Sequence, residues 1–282
     1  MRISTENIHQ QKVNQVIDFI GTRLHKPLPL DVIASSINVS QRQLLRIMRL
    51  ALNESLYSYI ARQRMERAVM YMQTKEMSLT TLAGMVAYDN PQSFSKAFKK
   101  HFGKSPKTYL NELQSRLTSY VKSSGNRHHD LYSEIVEEDA IELVYIRIFG
   151  KYGDDEPYET AWNKLIQFLK NNDALSYDTR FIGISFDDPN VTEHCHCRFY
   201  ACASVKKKIS AVGEFGTIQI PKGKYAVYTL KGSYSGLQEL YDNISVNFNH
   251  TIRHGLAFEE YLNSPNNTKE DDLLTKIHIP II

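Results

Sequence analysis

Basic and polar side chains recur on one face of two predicted helices that lie fifty residues apart. Along the first helix, from Gln41 to about Leu50, the face is formed at helical spacing by Arg42, Leu45, Arg46 and Arg49. The second helix carries its face at matching positions, namely Gln92, Ser95, Lys96 and Lys99. Guanidinium groups favour guanine, amide side chains favour adenine, and apolar side chains suit the thymine methyl group. The doubled pattern therefore predicts two matching surfaces that can face double-stranded DNA, and the alternative is a solvated basic surface.

Each of these faces needs a helix-turn-helix unit to present it. The first unit is predicted from a short helix at Asp31–Ile37, a left-handed turn at Asn38 and an N-cap at Ser40. In the second unit Asn90 is the predicted cap, and Pro91 suits the first helical turn. A helix predicted from Ser55 to about Gln73 would span roughly 28 Å. A spacer of that length can set the two faces into successive major grooves, about 34 Å apart.

The stretch AYDNPQSFSKAFKKHFGKSPKTY, residues 87–109, resembles the signature of the AraC/XylS family of transcription regulators. The resemblance extends over both helix-turn-helix units and the helix between them. It implies base contacts from exposed positions of the two capped helices: Arg42, Leu45, Arg46, Gln92, Ser93, Ser95 and Lys96. Two residues depart from the family pattern. Ala87 stands where glycine is usual, which predicts a strained turn, and Leu45 replaces a more common polar residue.

The charge of the chain is divided unevenly between its halves. Residues 1–125 carry 18 Lys or Arg and 8 Asp or Glu, a net charge of +10, whereas residues 126–282 carry a net charge of −7. This split predicts that only the first half meets a polyanion. The N-terminal sequence has no apolar signal core and no apolar run is long enough for a membrane helix, so we expect a cytoplasmic protein without membrane partners.

A second pattern begins after a polar stretch and occurs twice. Strand, helix, strand and strand are predicted at 141–149, 159–169, 180–186 and 197–205, and again at 225–230, 237–248, 257–262 and 274–279. The predicted protein is therefore multidomain. An all-α domain with two helix-turn-helix units (8–117) is followed by a linker (118–133) and an α+β domain of two β-α-β-β repeats (134–282). The junction between such repeats is a common place for a ligand cleft.

The segments ISFDDPNVT (184–192), IPKGKYAVYTLKGSYSGLQELYD (220–242) and FEEYLNSP (258–265) resemble the GyrI-like effector-binding domain. The resemblance implies a small ligand, often cationic and hydrophobic, held between the repeats. It places the pocket glutamate at Glu259 and sets Trp162 on a helix beside the cleft. Strand alternation puts Glu259 on one face with Tyr261, and Glu260 on the other. A carboxylate among aromatic rings suits an organic cation. The alternatives are that Glu259 pairs with a Lys or Arg and that Trp162 is ordinary core.

The sequence predicts neither a catalytic constellation nor a cofactor. His194-Cys195-His196-Cys197 has donor side chains for a metal, but on a strand its cysteines and histidines would face opposite ways, so no metal site is expected. We expect a sensor and not an enzyme. Two alternatives remain: a small-molecule hydrolase that uses Glu259 to position water, and a ligand-free platform that docks RNA polymerase or another regulator.

Overall fold

A computed structural model describes residues 5–74, 77–123, 132–153, 155–207, 209–253 and 255–282. The chain divides into two compact units, Met1–Ser123 and Ser124–Ile282. Within the described residues, no helix combines the length and the apolar character that crossing a bilayer would require.

The described part of the first unit is helical, with two short-helix, turn and capped-helix arrangements. Its helices are α1 (Thr5–Gly21), α2 (Leu30–Ser36), α3 (Gln41–Leu52), α4 (Leu56–Thr74), α5 (Leu79–Met85), α6 (Pro91–Phe102) and α7 (Pro106–Ser123). Helix α4 packs against both α3 and α6, so it connects the two helix-turn-helix arrangements as the sequence predicted.

The fifty-residue repeat extends beyond the two capped helices. Helix α3 ends at Asn53 and helix α6 at Gly103, both in the left-handed conformation, with φ of 54° and 73°. Shortly after each end, the hydroxyls of Ser55 and Ser105 accept hydrogen bonds from the backbone amides of Ser58 and Thr108. The same termination and capping chemistry therefore sets the start of α4 and of α7.

Buried polar side chains hold α4 in place. Arg62 reaches back to Glu54, with 2.5 Å between Nη2 and Oε1, and also pairs with Glu66 one turn later. The amide of Gln63 donates to Glu66 at 2.8 Å. Arg64 donates to the carbonyls of Leu24 and Lys26, which lie beyond the end of α1. Because buried charges of this kind need all their partners, the network fixes where α4 lies against its neighbours.

Helix α7 extends into the predicted linker. The sequence predicted a linker over residues 118–133, whereas the helix continues to Ser123. This last segment is polar, so its sequence has no apolar periodicity to indicate a helix. The helix forms there because the backbone continues the hydrogen bonding of the preceding turns. Residues 124–131, which make up much of the predicted linker, lie outside the described residues.

The second unit contains, among its described residues, two α-helices and eight strands. They are β1 (Glu134–Glu138), β2 (Ile141–Phe149), α8 (Asp155–Asn171), β3 (Phe181–Ser185), β4 (Arg198–Ser204), β5 (Phe215–Ile220), β6 (Gly223–Lys231), α9 (Leu237–Asn247), β7 (Phe258–Tyr261) and β8 (Leu274–Ile281). Both predicted β-α-β-β repeats are present, as β2-α8-β3-β4 and β6-α9-β7-β8. The structure adds β1 and β5, one strand in front of each repeat, which the sequence did not predict.

All eight strands form one antiparallel sheet in the order β1-β6-β8-β7-β3-β4-β2-β5. Exchanging the two repeats reverses this order, so the sheet has a pseudo-twofold axis between β7 and β3. The axis passes through the pair Gly183 and Glu259, which are register partners and also occupy equivalent positions in the two repeats. The leading strands are exchanged, since β1 pairs with β6 of the second repeat and β5 pairs with β2 of the first.

Helices α8 and α9 cover one face of the sheet. Leu165 and Leu169 of α8 pack with Ile146 and Ala201, while Ile244 of α9 belongs to a second cluster on β6 and β8. The opposite face buries its own apolar cluster, whose members include Leu143, Tyr145, Ile182, Tyr200, Tyr225 and Phe258. The junction between the repeats thus lies on the covered face, beside residues of both helices.

Candidate functional site

Helices α3 and α6 each present a polar face to solvent. In α3 the side chains of Arg42, Arg46 and Arg49 are exposed, and in α6 those of Gln92, Ser93, Lys96 and Lys99 are exposed. The opposite faces are buried, by Leu44, Ile47 and Met48 in α3 and by Phe94 and Phe98 in α6. The exposed groups are cations and hydrogen-bonding side chains, which suits phosphates and base edges.

Side-chain caps begin both helices. The hydroxyl of Ser40 accepts a hydrogen bond from the amide of Gln43, and Oδ1 of Asn90 accepts one from the amide of Ser93 at 2.8 Å. Pro91 occupies the first turn of α6. These caps match the predicted ones and fix the first turn of each helix, where the polar face begins.

The turn before each capped helix uses a left-handed residue. Asn38 has a φ of 51° and Ala87 a φ of 56°. Asparagine tolerates this conformation, whereas alanine pays a steric penalty because its Cβ approaches the following carbonyl. The backbone strain predicted for this turn therefore lies at Ala87 itself. Asn38 adopts nearly the same φ in the first helix-turn-helix arrangement.

Two of the predicted base-contacting residues are less available than the others. Leu45 is half-buried and packs against the core cluster of the first unit. The hydroxyl of Ser95 donates to the carbonyl of Pro91 at 2.7 Å, so only its oxygen lone pairs remain free. Both residues still lie on the polar side of their helices.

In the second unit, Glu259 lies at the repeat junction and is 3% exposed. Its carboxylate accepts hydrogen bonds from three hydroxyls: Tyr261 at 2.6 Å, Tyr241 at 3.1 Å and Ser185 at 3.3 Å. These groups come from β7, α9 and β3, so both repeats supply partners. Among the described residues, none of its bonding partners is a Lys or Arg.

Burial governs the electrostatics of this carboxylate. Desolvation raises the pKa of Glu259, and the three hydroxyl donors offset the rise only in part. Burial and the neighbouring carboxylate together raise the pKa of Tyr241 and of Tyr261 well above the ordinary value. The tyrosines therefore stay neutral donors. Ionising Glu259 in this buried position costs free energy, and a cation bound beside it would lower that cost.

Aromatic rings pack around Tyr261, which makes the shortest hydrogen bond to the carboxylate. The indole of Trp162 meets the Tyr261 ring edge-on, with centroids 5.8 Å apart, and Tyr234 meets it at 5.4 Å. Across the axis stands Gly183. A Cβ built there would lie 2.7 Å from Cζ of Phe199 and nearer still to the Tyr261 hydroxyl. The absence of a side chain at Gly183 therefore leaves room for the ring that bonds Glu259.

Comparison with protein families assigns both halves of the chain. Residues 133–282 match the GyrI-like small molecule binding domain, and residues 33–112 match a helix-turn-helix domain. The first match spans more than half of the chain. The chain belongs to the GyrI-like family. It combines this small-molecule binding domain with an AraC-type DNA-binding domain.

Each of the two curated relatives described next matches little more than a third of this chain. The Msm operon regulatory protein of Streptococcus mutans is 34% identical over 103 residues, which are 36% of this chain and 37% of the relative. The regulatory protein SoxS of Salmonella typhimurium is 30% identical over 105 residues, which are 37% of this chain and 98% of SoxS. Among solved structures, the EcmrR C-terminal domain is 17% identical, with a TM-score of 0.47, and covers 54% of this chain and 97% of that one.

The structure of the GyrI-like domain brings together Glu259, Tyr261 and Trp162, the three residues that the sequence singled out. It adds Tyr241, Ser185 and Gly183. A signal for Tyr241 was present, since it stands at the position of the second repeat that is equivalent to Trp162 in the first. Nothing in the sequence pattern pointed to Ser185 or Gly183, because their importance comes from the pairing of β3 with β7.

Glu260 points to the opposite face of the GyrI-like sheet, as strand alternation predicts. Arg180 donates to Glu260 at 2.6 Å and to Glu138 at 2.9 Å, and the buried His278 lies 3.3 Å from Glu260. Burial would raise the pKa of Glu260, but His278 and Arg180 outweigh it and lower the pKa to about 2. Glu138 belongs to β1 and Glu260 to β7, and strands β6 and β8 lie between these two in the sheet. Because Arg180 bonds to both carboxylates, the sheet must curl.

The cluster at His194–Cys197 does not form the strand that its alternate spacing indicated. Residues His194–His196 form a 3-10 helix, and β4 begins only at Arg198. The argument that its cysteines and histidines face opposite sides of a strand is therefore wrong. The physical reason is that this segment is the turn entering β4, where the chain must reverse direction.

Proposed function

We propose that this chain is a transcription regulator whose GyrI-like domain binds a hydrophobic organic cation at Glu259, and whose helices α3 and α6 read the operator. The observation that carries the effector proposal is the buried carboxylate of Glu259, hydrogen-bonded only to hydroxyl groups among the described residues. A buried charge without a counter-charge is costly, and an entering cation provides the missing one.

The surroundings of Glu259 support a delocalised cation over a small metal ion. Tyr261, Tyr241, Tyr234 and Trp162 provide ring faces and edges within one cluster, and cation–π attraction favours weakly hydrated organic cations. Carboxylate and hydroxyl oxygens alone would have to compete with the full hydration shell of a metal ion.

The exposed faces of α3 and α6 support direct reading of DNA. We propose that Arg42, Arg46, Gln92, Ser93 and Lys96 contact bases, that Leu45 and Ser95 line the same surface, and that Arg49 and Lys99 contact phosphates. Guanidinium groups suit guanine, and the Gln92 amide suits adenine. Since one chain carries both faces, one copy can contact two successive major grooves of an asymmetric site.

We further propose that the GyrI-like domain acts as a sensor and not as a hydrolase. The two curated relatives described above are regulatory proteins. All three hydroxyls around Glu259 already donate to it, so the carboxylate is engaged in holding the pocket. Product formation from bound compounds would instead favour the enzyme, and unchanged transcription with every cation would favour a platform for RNA polymerase.

The effector proposal is tested by calorimetric titration of the full chain. Aromatic quaternary ammonium ions are compared with their neutral carbon isosteres at several pH values. We expect cations to bind more tightly than isosteres, and Glu259→Gln to abolish most of that difference while the domain stays folded. Cation affinity should also rise with pH through the raised pKa of Glu259, because binding requires the ionised form.

Two control variants remove a carboxylate elsewhere. Glu239→Gln takes one charge from the exposed side of α9, and Glu260→Gln takes one from the opposite face of the sheet. Both should retain the preference for cations. Equal loss in all three variants, or equal binding of cations and isosteres by the unaltered chain, would overturn the assignment of Glu259.

The DNA proposal is tested by selecting bound sequences from a random library. Arg46→Ala and Lys96→Ala should each relax the preference at one or two positions and weaken operator binding by about 1–3 kcal/mol. Lys99→Ala should weaken binding to all sequences alike and reduce its salt dependence. An unchanged preference in both base-contacting variants would place the reading surface elsewhere.

A further inference from the structure

The turn between β3 and β4 gathers three different donor atoms at the protein surface. Glu193 precedes the 3-10 helix, and Cys195 and His196 lie within it. One carboxylate oxygen, the thiol sulfur and one ring nitrogen all lie within 4.8 Å of one another. Cys195 is exposed, so a solute can reach the sulfur directly.

One metal ion can join these donors after small side-chain shifts. Tetrahedral bonds of about 2.0–2.3 Å place donor atoms roughly 3.3–3.8 Å apart, with nitrogen–oxygen pairs at the short end. Nδ1 of His196 lies 3.8 Å from Oε2 of Glu193, and the exposed Glu193 side chain can close the remaining gap. This nitrogen has no hydrogen-bond partner within the described structure, so no existing bond has to be broken for it to coordinate an ion.

The donor set indicates which class of ion it would hold. A thiolate and an imidazole prefer soft or borderline cations over Mg²⁺ or Ca²⁺. One thiolate, one carboxylate and one neutral imidazole together carry a charge of −2, which balances a divalent ion. Three protein ligands leave the fourth tetrahedral position open to water or to a small thiol.

The ends of this turn are held firmly, which keeps the donors close together. Asp187 and Arg198 form a buried ion pair at 2.7 Å, and the Asp187 carboxylate also accepts the Arg198 amide. The hydroxyl of Tyr152 contacts the carbonyls of both residues at 3.0 Å. The buried Cys197 anchors the segment just after the donors. A fixed turn lowers the entropy lost when an ion binds.

The second repeat shows that the turn can form without these donor side chains. Its equivalent turn is also a 3-10 helix, Glu270–Asp272, and Asn263 accepts the amide of Leu274 as Asp187 accepts that of Arg198. At the positions of the three donors it carries Lys269, Asp271 and Asp272. The fold therefore requires the turn, but it does not require sulfur or imidazole there.

We propose that Glu193, Cys195 and His196 form a binding site for a thiophilic divalent cation of the Zn²⁺ class, separate from the effector site at Glu259. Binding joins the ion to the sulfur, the ring nitrogen and a carboxylate oxygen, and the thiol proton is released to solvent. No oxidation or reduction takes place.

The test is a titration of the reduced full chain with Co²⁺, followed by Zn²⁺. We expect one equivalent of Co²⁺ to give a sulfur-to-metal charge-transfer band with the visible bands of a tetrahedral ion, and Zn²⁺ to displace it. Cys195→Asp places the residue of the second repeat in the same turn, so the turn should persist while the charge-transfer band disappears. His196→Gln should weaken binding roughly tenfold or more.

Cys202→Ala is the matched control, because it removes a buried thiol of β4 that is neither one of the three donors nor part of the turn. It should keep the band, and the fluorescence of Trp162, the only tryptophan, checks that the domain is folded. As a gain-of-site test, Lys269→Glu, Asp271→Cys and Asp272→His together should add a second equivalent of bound Co²⁺. A band that survives Cys195→Asp, or no saturable binding by the unaltered chain, would overturn the proposal.

Discussion

Gly183→Ala introduces one methyl group on the pseudo-twofold axis, directly opposite Glu259. The new carbon would lie 2.7 Å from Cζ and 2.9 Å from Cε2 of Phe199, and closer still to the hydroxyl of Tyr261. Both rings are confined, since Phe199 is buried and Tyr261 packs against Trp162 and Tyr234. The methyl group can therefore be accommodated only if both rings shift, and a shift of the Tyr261 hydroxyl disturbs its hydrogen bond to Glu259.

Two costs contribute to the expected destabilisation. Overpacking a dense core by one methyl group costs about 1–3 kcal/mol. Displacing Tyr261 also removes its 2.6 Å hydrogen bond to Glu259, and bonds to charged groups contribute about 1.5–3 kcal/mol. Because both losses arise from one movement, they overlap, and we expect about 2–4 kcal/mol in total. For a domain of this size that is a fall in Tm of roughly 5–15 °C.

The assay is urea and thermal unfolding of the full chain, followed by the fluorescence of Trp162. This residue is the only tryptophan, so the signal reports on the GyrI-like domain alone. Its ring contacts Tyr261, which also predicts a changed native emission in the variant. Gly21→Ala, at a position with open space around the added carbon in the first unit, should leave this transition unchanged.

A double-mutant cycle tests the cause of the loss. Tyr261→Phe removes the oxygen that the new methyl group meets first, so Gly183→Ala should cost about 1 kcal/mol less in that background. An equal cost in both backgrounds would show that Tyr261 is not displaced. Full stability of the single variant would show that the junction is looser than its contacts indicate.

Three further outcomes are expected. Ala87→Gly should raise the free energy of unfolding of the first unit by about 0.5–1 kcal/mol, because it removes left-handed strain. Asn38→Gly should raise it less, and equal gains in chemical denaturation would contradict the strain argument. Since the pKa of Glu260 is lowered to about 2, its carboxylate should stabilise the fold above its ordinary pKa, and that stability should be lost as pH falls from about 4.5 to 2; Glu260→Gln should lack this loss in acid unfolding. Residues 1–123 alone should bind DNA with a steep salt dependence, and residues 124–282 should not, as filter binding would show.

The first unit could be predicted in detail because its signals are local. Caps such as Ser40 and Asn90 act on amides in the next turn of the chain, and the fifty-residue repeat supports each assignment with a second copy. The buried bonds of Arg62 could not be predicted, since Glu54 lies outside the helix that carries Arg62.

Prediction failed in the second unit where distant segments decide the structure. Strand β1, with the sequence EIVEE, is short and mostly exposed, and its register pairs Glu134 with Val227. Strand β5 likewise depends on β2, from which α8, β3 and β4 separate it along the chain. The 3-10 helix at His194–His196 was missed for a related reason: period-two spacing indicates a strand only where a neighbouring strand is available to pair.

The candidate effector site could be predicted in part. Alternation along one strand placed Glu259 and Tyr261 together and Glu260 apart, and the structure has this arrangement. The bond from Tyr241 requires α9 to pack over β7, which no local pattern specifies. Its position in the repeat, equivalent to Trp162, was the available clue.

The exchange of β1 and β5 between the repeats also constrains the order in which the GyrI-like domain can fold as it is synthesised. Strand β1 leaves the ribosome early but must wait for β6, which is made only after the whole first repeat. Its edge remains unpaired until then, whereas β5 pairs with β2, which has already been made, so β3, β4, β2 and β5 can pair as soon as β5 emerges. The first repeat can therefore form its half of the sheet before the second repeat exists. The half that contains β1 must close last, because β1 depends on β6 and its far neighbours β8 and β7 come later still.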